Sequence, residues 1–390
     1  MNPKLPVLAY AFRPFFLLAA VYAIVLMCAW IGTWFLAWPV AGSMPPIVWH
    51  GHEMVFGLVP AIVAGFLLTA ICNWTGHPPL SGRPLLALLV LWLAGRVTMW
   101  SSAWIPAWVL ALIDSAFLLA LALYVGFVVA HRRNRRNVVI VGISFAYWLA
   151  GLSAHLGYLG IDLPVDGQRM GLMLIVLLLT VIGGRITPAF TRNWLRRQQA
   201  DETIVFSRPW LEQSSFWTLS LLVVVVALPS PGWLIVIVGG LSGLLHGLRL
   251  VGWSGWVGRS DPLIWVLHLG YAWLVAGLLL LTAGQATALV PPSLWTHVLG
   301  VGAMGTLVLG VMTRVSLGHT GRPLVLPTGA ASIYWMMMLA AVARLVHAAG
   351  LVDSESWLLV SATAWVGSFT LFLVFYSLIL LSPRADGRPG

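Results

Sequence analysis

The sequence predicts an all-α integral membrane protein of about twelve transmembrane helices. Sixty per cent of its 390 residues are apolar and only 8% are charged, whereas about a quarter of the residues of a soluble domain are charged. Apolar runs of about 20 residues, the length that crosses a bilayer, recur along the whole chain. We therefore expect a single polytopic membrane domain over 1–390, with spans near 15–38, 46–74, 85–102, 105–130, 137–160, 168–188, 213–229, 232–251, 262–283, 293–316, 330–350 and 355–382.

The formal net charge of +10 does not indicate a nucleic-acid-binding protein. Most basic residues lie in the short even-numbered connections between apolar runs, as in the segment 131–136 (His-Arg-Arg-Asn-Arg-Arg). The odd-numbered connections are short, uncharged or acidic, as at Asp162, Asp166 and Asp353. Because basic loops stay in the cytoplasm, both termini are expected there.

Two parts of the chain match each other at a constant offset of 245 residues. His52 corresponds to His297 and Gly65 to Gly310, and each copy then reaches a Gly-Arg-Pro turn. The sixth span matches less well. Since spans two, six and ten are four helices apart, we expect three pseudo-repeats of four helices. This arrangement resembles the catalytic subunit of heme-copper oxidases, which is an analogy of architecture and not of function.

The segment Trp49–Met54 carries two histidines and a carboxylate inside the second span. His50 and His52 are two residues apart and point about 200° apart on a helix, so they face different neighbours. Titratable groups are costly at membrane depth and mark functional positions. His50 and His52 are therefore candidate heme or metal ligands, and Glu53 is a candidate proton relay. The alternative is hydrogen bonding between helices.

His297, the counterpart of His52, stands beside the small residues Gly300, Gly302, Ala303 and Gly305. Small side chains allow a planar macrocycle or another helix to approach the backbone closely. His297 is therefore a third candidate heme ligand.

Arg96 and Arg344 lie inside the helices that follow the two repeat copies. A guanidinium group pairs well with carboxylates, so both are candidates for holding heme propionates. The alternative is an ion pair between helices, with Asp114 as a partner.

A second set of histidines, predicted nearer the cytoplasmic side, consists of His246, His268 and His319. Copper accepts several imidazole ligands, so these are candidate copper ligands. For His268, helix packing is the alternative. His155 is assigned no role by the sequence.

The motifs of the chain strongly resemble those of the NnrS family of bacterial inner-membrane proteins. The resemblance extends over nearly the whole length and is carried by Ala11–Phe16, Trp49–Met54, Gly65–Gly76, Gly184–Trp194, Leu267–Tyr271 and Gly302–Pro323. The family's motif histidines correspond here to His50, His52, His268, His297 and His319.

This resemblance implies a heme- and copper-containing membrane protein of nitric oxide metabolism and nitrosative stress. No Cys-x-x-Cys-His site for covalent attachment occurs, so heme b would be held non-covalently. The expected function is to bind nitric oxide and to reduce or otherwise remove it, with electrons from an unidentified donor. The alternatives are a transporter of a small anion or metal complex and a heme-based nitric oxide sensor without turnover. Whether the protein is an enzyme is left open.

Overall fold

The protein is all-helical in the computed structural model, which describes residues 5–39, 42, 44–287, 289–351 and 355–388. Within these residues twelve long helices and no β-strand are found, which confirms the predicted fold class. Eleven helices are long and apolar enough to cross a membrane, and the shorter twelfth has 17 residues. The helices are α1 (Phe12–Leu36), α2 (Pro46–Thr75), α3 (Arg83–Trp100), α4 (Ala107–His131), α5 (Val138–Tyr158), α6 (Gly167–Arg197), α7 (Pro209–Ala227), α8 (Gly232–Gly252), α9 (Pro262–Ala286), α10 (Pro292–His319), α11 (Ser332–Ala348) and α12 (Ser356–Leu381).

The clearest departure from the predicted spans is in α6, which was expected to end near Pro188. The helix instead continues through Pro188 to Arg197. Proline removes only one backbone hydrogen-bond donor. The basic residues that follow Pro188 are polar, but they do not break a helix. Asp353, predicted on the outer side, lies outside the described residues.

The chain forms two compact units, each built from antiparallel neighbours. Unit 1 comprises 1–171, 312–324 and 369–390, and unit 2 comprises 172–311 and 325–368. In unit 1, α1 packs against α2, α3 against α4, and α4 against α5. In unit 2, α8 packs against both α7 and α9, and α10 packs against both α9 and α11.

Both Gly-Arg-Pro turns of the repeat have a glycine in the left-handed region of backbone conformation. Gly82 has φ +64° and Gly321 has φ +71°, a conformation that a side chain disfavours. The amide of Gly82 donates to the carbonyl of Leu8 at 2.9 Å. The repeat seen in the sequence is thus also present in the backbone at these turns.

The chain terminus is fixed to the second of these turns inside unit 1. Arg384 donates to the carbonyl of His319 at 2.9 Å, and the amide of Ala385 donates to that of Thr320 at 2.9 Å. Hydrogen bonds from Arg384 lower the pKa of Asp386 to about 2. This carboxylate therefore stays ionised, and the pair stays intact, at any physiological pH.

Arg13, near the start of α1, is completely buried and binds the end of α12. One of its terminal nitrogens donates to the carbonyls of Leu380 and Ser382, both at 2.7 Å. The last carbonyls of a helix have no partner within it and carry partial negative charge. The guanidinium therefore satisfies acceptors that would otherwise be buried without a donor.

We expect Arg13→Met to lower the free energy of unfolding by about 3 kcal/mol, because it leaves buried carbonyls without a charged donor. Thermal unfolding of the purified protein in detergent micelles measures this effect. Arg388→Met, at a side chain that is 79% exposed, is the matched control and should unfold like the wild type. Equal unfolding midpoints for both variants would contradict this assignment.

Candidate metal centre

Two repeat-related helices change to π-helical geometry at equivalent positions. In α2 the segment Glu53–Leu58 is π-helical and begins directly after His52. In α10 the segment Val298–Gly305 is π-helical and begins directly after His297. Such segments are rare and are often found at functional sites. Each of the two matched histidines therefore directly precedes a π-helical segment, which the sequence did not predict.

Side chains from two neighbouring helices bind the carbonyls of the first π-helical segment. The hydroxyl of Tyr147 on α5 donates to the carbonyl of Val55. The indole of Trp92 on α3 donates to the carbonyl of Gly57 at 2.9 Å. Because buried carbonyls need donors, these contacts stabilise the segment and hold α2 between α3 and α5.

Three helices of unit 1 bring His52, Asp114 and His155 together in the interior. Nε2 of His155 lies 2.8 Å from Oδ2 of Asp114, and Nε2 of His52 lies 3.3 Å from the same oxygen. One ligand atom from each residue lies within 4.8 Å of the others. All three side chains are buried. In the part of the chain that the structure describes, no other three His, Cys, Asp or Glu residues are grouped in this way.

A buried guanidinium connects this group to a second carboxylate. Nη1 of Arg96 lies 2.5 Å from Oε1 of Glu53, and Nη2 forms an ion pair with Oδ1 of Asp114. The ion pair with Asp114, left as the alternative for Arg96, is therefore present. Both terminal nitrogens of this arginine are engaged by protein carboxylates.

Glu53 is also bound from the side of α1. The hydroxyl of Tyr22 donates to Oε2 of Glu53, and the indole of Trp100 donates to the hydroxyl of Tyr22 at 3.0 Å. When Glu53 and Asp114 are both ionised, Arg96 is protonated and the two imidazoles are neutral, the whole group has a formal charge of −1. An uncompensated charge is costly at membrane depth, so this site favours a cation.

His50 has different surroundings from His52, as expected from their spacing. Its ring stacks on that of Trp30, with centroids 4.2 Å apart and planes 18° apart. His52, by contrast, has Asp114 beside Nε2 and Glu53 beside Nδ1. One helix therefore presents one histidine to a packing partner and the other to the buried cluster.

His297 in unit 2 has one ring nitrogen fixed by its own helix. Nδ1 lies 2.6 Å from the carbonyl of Ser293, which can only accept, so Nδ1 carries the proton and Nε2 has a lone pair. Of the small residues nearby, Gly302 accommodates Trp273 and Gly305 accommodates Met337. A Cβ at Gly300 would meet nothing within 4 Å. Only Gly300 among these three therefore borders open space.

The predicted copper ligands do not come together. Within unit 2, His246 contacts the carbonyl of Ser242 at 2.8 Å and the hydroxyl of Thr180 at 3.2 Å. In unit 1, the ring of His319 lies 5.7 Å from that of Phe12. Among the described residues, none of the three belongs to a group with metal-ligand spacing.

His268 is held by contacts that suit packing. Thr191 donates its hydroxyl to the carbonyl of Thr187 at 2.9 Å, so it accepts from Nε2 of His268, 2.9 Å away. The other nitrogen faces Gly255, where a Cβ would lie 2.5 Å from it. These contacts favour the packing alternative for His268.

Comparison with known proteins bears on what this centre is for. The model of one family, described as NnrS protein, matches residues 6–384. The chain belongs to the NnrS family. No curated protein matches it. Membership of the NnrS family suggests a role in the response to nitric oxide and the binding of metal or heme.

The centre includes residues that sequence reasoning singled out and one that it did not. His52, Glu53 and Arg96 were site candidates, and Asp114 was named as a partner for the arginine. His155 was assigned no role. A single intramembrane histidine on α5 was the available signal, but its partner could not be identified without the packing of α4 against α5.

Gly57 is required where α2 meets Arg96, because a Cβ there would clash with Nη1 of the guanidinium. We expect Gly57→Ala to displace Arg96 and to lower the free energy of unfolding by about 2 kcal/mol. Gly142→Ala on α5, where a Cβ meets nothing within 4 Å, is the control. Thermal unfolding of both variants measures the difference. A Gly57→Ala protein as stable as the control would show that Arg96 is not held as described.

Proposed function

We propose that this protein binds nitric oxide in the bacterial inner membrane, with both termini in the cytoplasm, and reduces or otherwise removes it. The observation that carries the proposal is the buried group of His52, Asp114 and His155, which we assign as the site of a metal ion. The family suggests metal binding and a nitric oxide response, and this group supplies donor atoms inside the membrane.

The donor set suits a redox-active transition metal. Two imidazole nitrogens and one carboxylate oxygen are ligands for copper or non-heme iron. Nε2 of His52 is buried and has no hydrogen-bond partner, and Nδ1 lies 3.4 Å from Oε1 of Glu53. A carboxylate behind a ligating histidine orients the ring and raises its basicity. Bound copper would supply one-electron chemistry.

The surrounding residues can exclude water and hold protons. The reduction of nitric oxide to nitrous oxide and water consumes equal numbers of electrons and protons. Glu53 accepts hydrogen bonds from Tyr22 and Arg96 and lies beside the ligand His52. It is therefore well placed to hold a proton next to the centre. The gas itself partitions into apolar surroundings, whereas electrons must come from a donor that the sequence does not identify.

A non-covalent heme b is best accommodated at His297 among the three heme-ligand candidates. Its Nδ1 donates to the carbonyl of Ser293, the usual second contact of a ligating histidine, which leaves the lone pair of Nε2 for the iron. His52 has a carboxylate and another imidazole beside its Nε2, which leaves room for an ion rather than for a macrocycle. His50 is stacked on Trp30.

A transporter is the competing function, and one observation favours it. The irregular π-helical segments lie on repeat-related helices, and interrupted helices in repeats line the substrate sites of many transporters. Uptake of a small anion or metal complex into proteoliposomes by protein free of heme and copper would support that alternative and contradict the metalloprotein proposal.

The metal site is tested by replacing its ligands one at a time. His52→Gln, Asp114→Asn and His155→Gln should each lower the bound metal at least about tenfold, measured by elemental analysis of protein produced with ample copper, iron and heme. His131→Gln, at an exposed histidine on the same helix as Asp114, is the matched control. Wild-type protein without metal under these conditions would overturn the proposal.

Nitric oxide binding is tested by spectroscopy and turnover. We expect heme absorption bands that shift on addition of nitric oxide, and loss of these bands in His297→Gln but not in His131→Gln. Consumption of nitric oxide per bound metal ion, measured with an artificial electron donor, should fall about 100-fold in Glu53→Gln. If the protein binds nitric oxide but does not consume it, the result favours the sensor alternative and contradicts reduction by this protein.

A further inference from the structure

The arginines of the two repeat copies differ in their charge partners. In unit 1, Arg96 is neutralised by Glu53 and Asp114. In unit 2, Arg344 occupies the corresponding helix, α11, and its Nη1 is buried without a hydrogen-bond partner. No salt bridge between described residues involves Arg344. Among the residues that the structure describes, this guanidinium therefore has no carboxylate partner.

The sequence explains this difference at two places in the repeat. The residue after His52 is Glu53, whereas the residue after His297 is Val298. Val298 is buried and apolar, so it cannot neutralise a neighbouring cation. α12, the counterpart of the helix that carries Asp114, contains no Asp or Glu, so the second charge partner is missing as well.

The surroundings of Arg344 are those of a site for a negatively charged ligand. Both Arg344 and His347 lie close enough to His297 for their charges to interact with it. The segment Pro292–His297 of α10 packs against α11, so Arg344 and His297 lie on neighbouring helices of unit 2.

We propose that Arg344, on the helix that packs against the segment carrying His297, binds an anionic oxygen ligand that replaces the carboxylates missing from this copy. A half-buried guanidinium without a partner is costly, and a bidentate anion such as a carboxylate or a small oxyanion matches its geometry. Two sources supply this chemistry: a propionate of a heme bound at His297, which rests on the proposed function, and a free anion, which does not.

Two measurements on the full-length protein in detergent separate the sources. The first titrates heme-free protein with nitrite by calorimetry. The second compares the affinity for heme with that for heme dimethyl ester, whose propionates carry no charge. Both are repeated with Arg344→Gln, with Arg344→Lys, and with the control Arg169→Gln, an arginine that is about half exposed.

If the site takes a free anion, nitrite binds the wild type and Arg344→Gln weakens binding at least about tenfold, the loss of one charge-assisted hydrogen bond. If it takes a propionate, the wild type prefers heme to its ester by a similar factor, and Arg344→Gln removes the preference. Arg344→Lys keeps the charge and should retain part of either effect, and it serves where Arg344→Gln fails to fold.

The inference is wrong if the wild type neither binds nitrite nor prefers heme to its dimethyl ester. It is also wrong if Arg344→Gln changes these affinities no more than Arg169→Gln does. Failure of the proposed function gives a different pattern, because a protein that binds no heme can still bind nitrite in a manner that depends on Arg344. Heme bound equally with and without ester groups, together with no binding of nitrite, would retain the proposed function and overturn this inference.

Discussion

The ion network around Arg96 is the interaction on which the rest of unit 1 depends. A charge in the interior of a membrane protein has no water to stabilise it, so its partners must be supplied by other helices. Arg96 on α3 takes them from Glu53 on α2 and Asp114 on α4. These contacts fix three helices relative to one another. They also leave the second oxygen of Asp114 to face the two histidines.

The π-helical segment after His52 follows from the same requirement. Glu53 accepts a hydrogen bond from Arg96. Gly57, which has no side chain, leaves the space that the guanidinium occupies. A π-helical segment changes which side chains share a face, and it frees carbonyls that Tyr147 and Trp92 then bind. The distortion is thus stabilised by side chains of two neighbouring helices.

The sequence predicted those features that depend on local composition. Span positions followed from apolar runs, and the repeat followed from matched residues such as His52 and His297. The predicted sixth span, 168–188, ends at a proline, whereas α6 continues to Arg197, because a helix tolerates the loss of a single hydrogen bond when the residues around it favour continuation.

Features that depend on which helix faces lie together could not be predicted. Hydropathy along α4 and α5 does not tell which face of each helix meets the other, so His155 had no assignable partner. The π-helical segments could not be predicted either. The first is stabilised by Tyr147 and Trp92 of neighbouring helices, and residue spacing along α2 does not reveal these contacts. Asp114 was anticipated only as a partner of Arg96, because charge alone indicates a counter-charge but not the two imidazoles beside it.

The divergence between the repeat copies indicates how one scaffold can support two binding chemistries. The same plan, a histidine before a π-helical segment and an arginine on the next helix, occurs around Arg96 and around Arg344. Where Glu53 and Asp114 are present, Arg96 is neutralised by protein carboxylates. Around Arg344, Val298 stands in place of Glu53, and α12, the counterpart of α4, contains no Asp or Glu. The proposed cation site and the proposed anion site therefore differ by both carboxylates, although matched helices carry them.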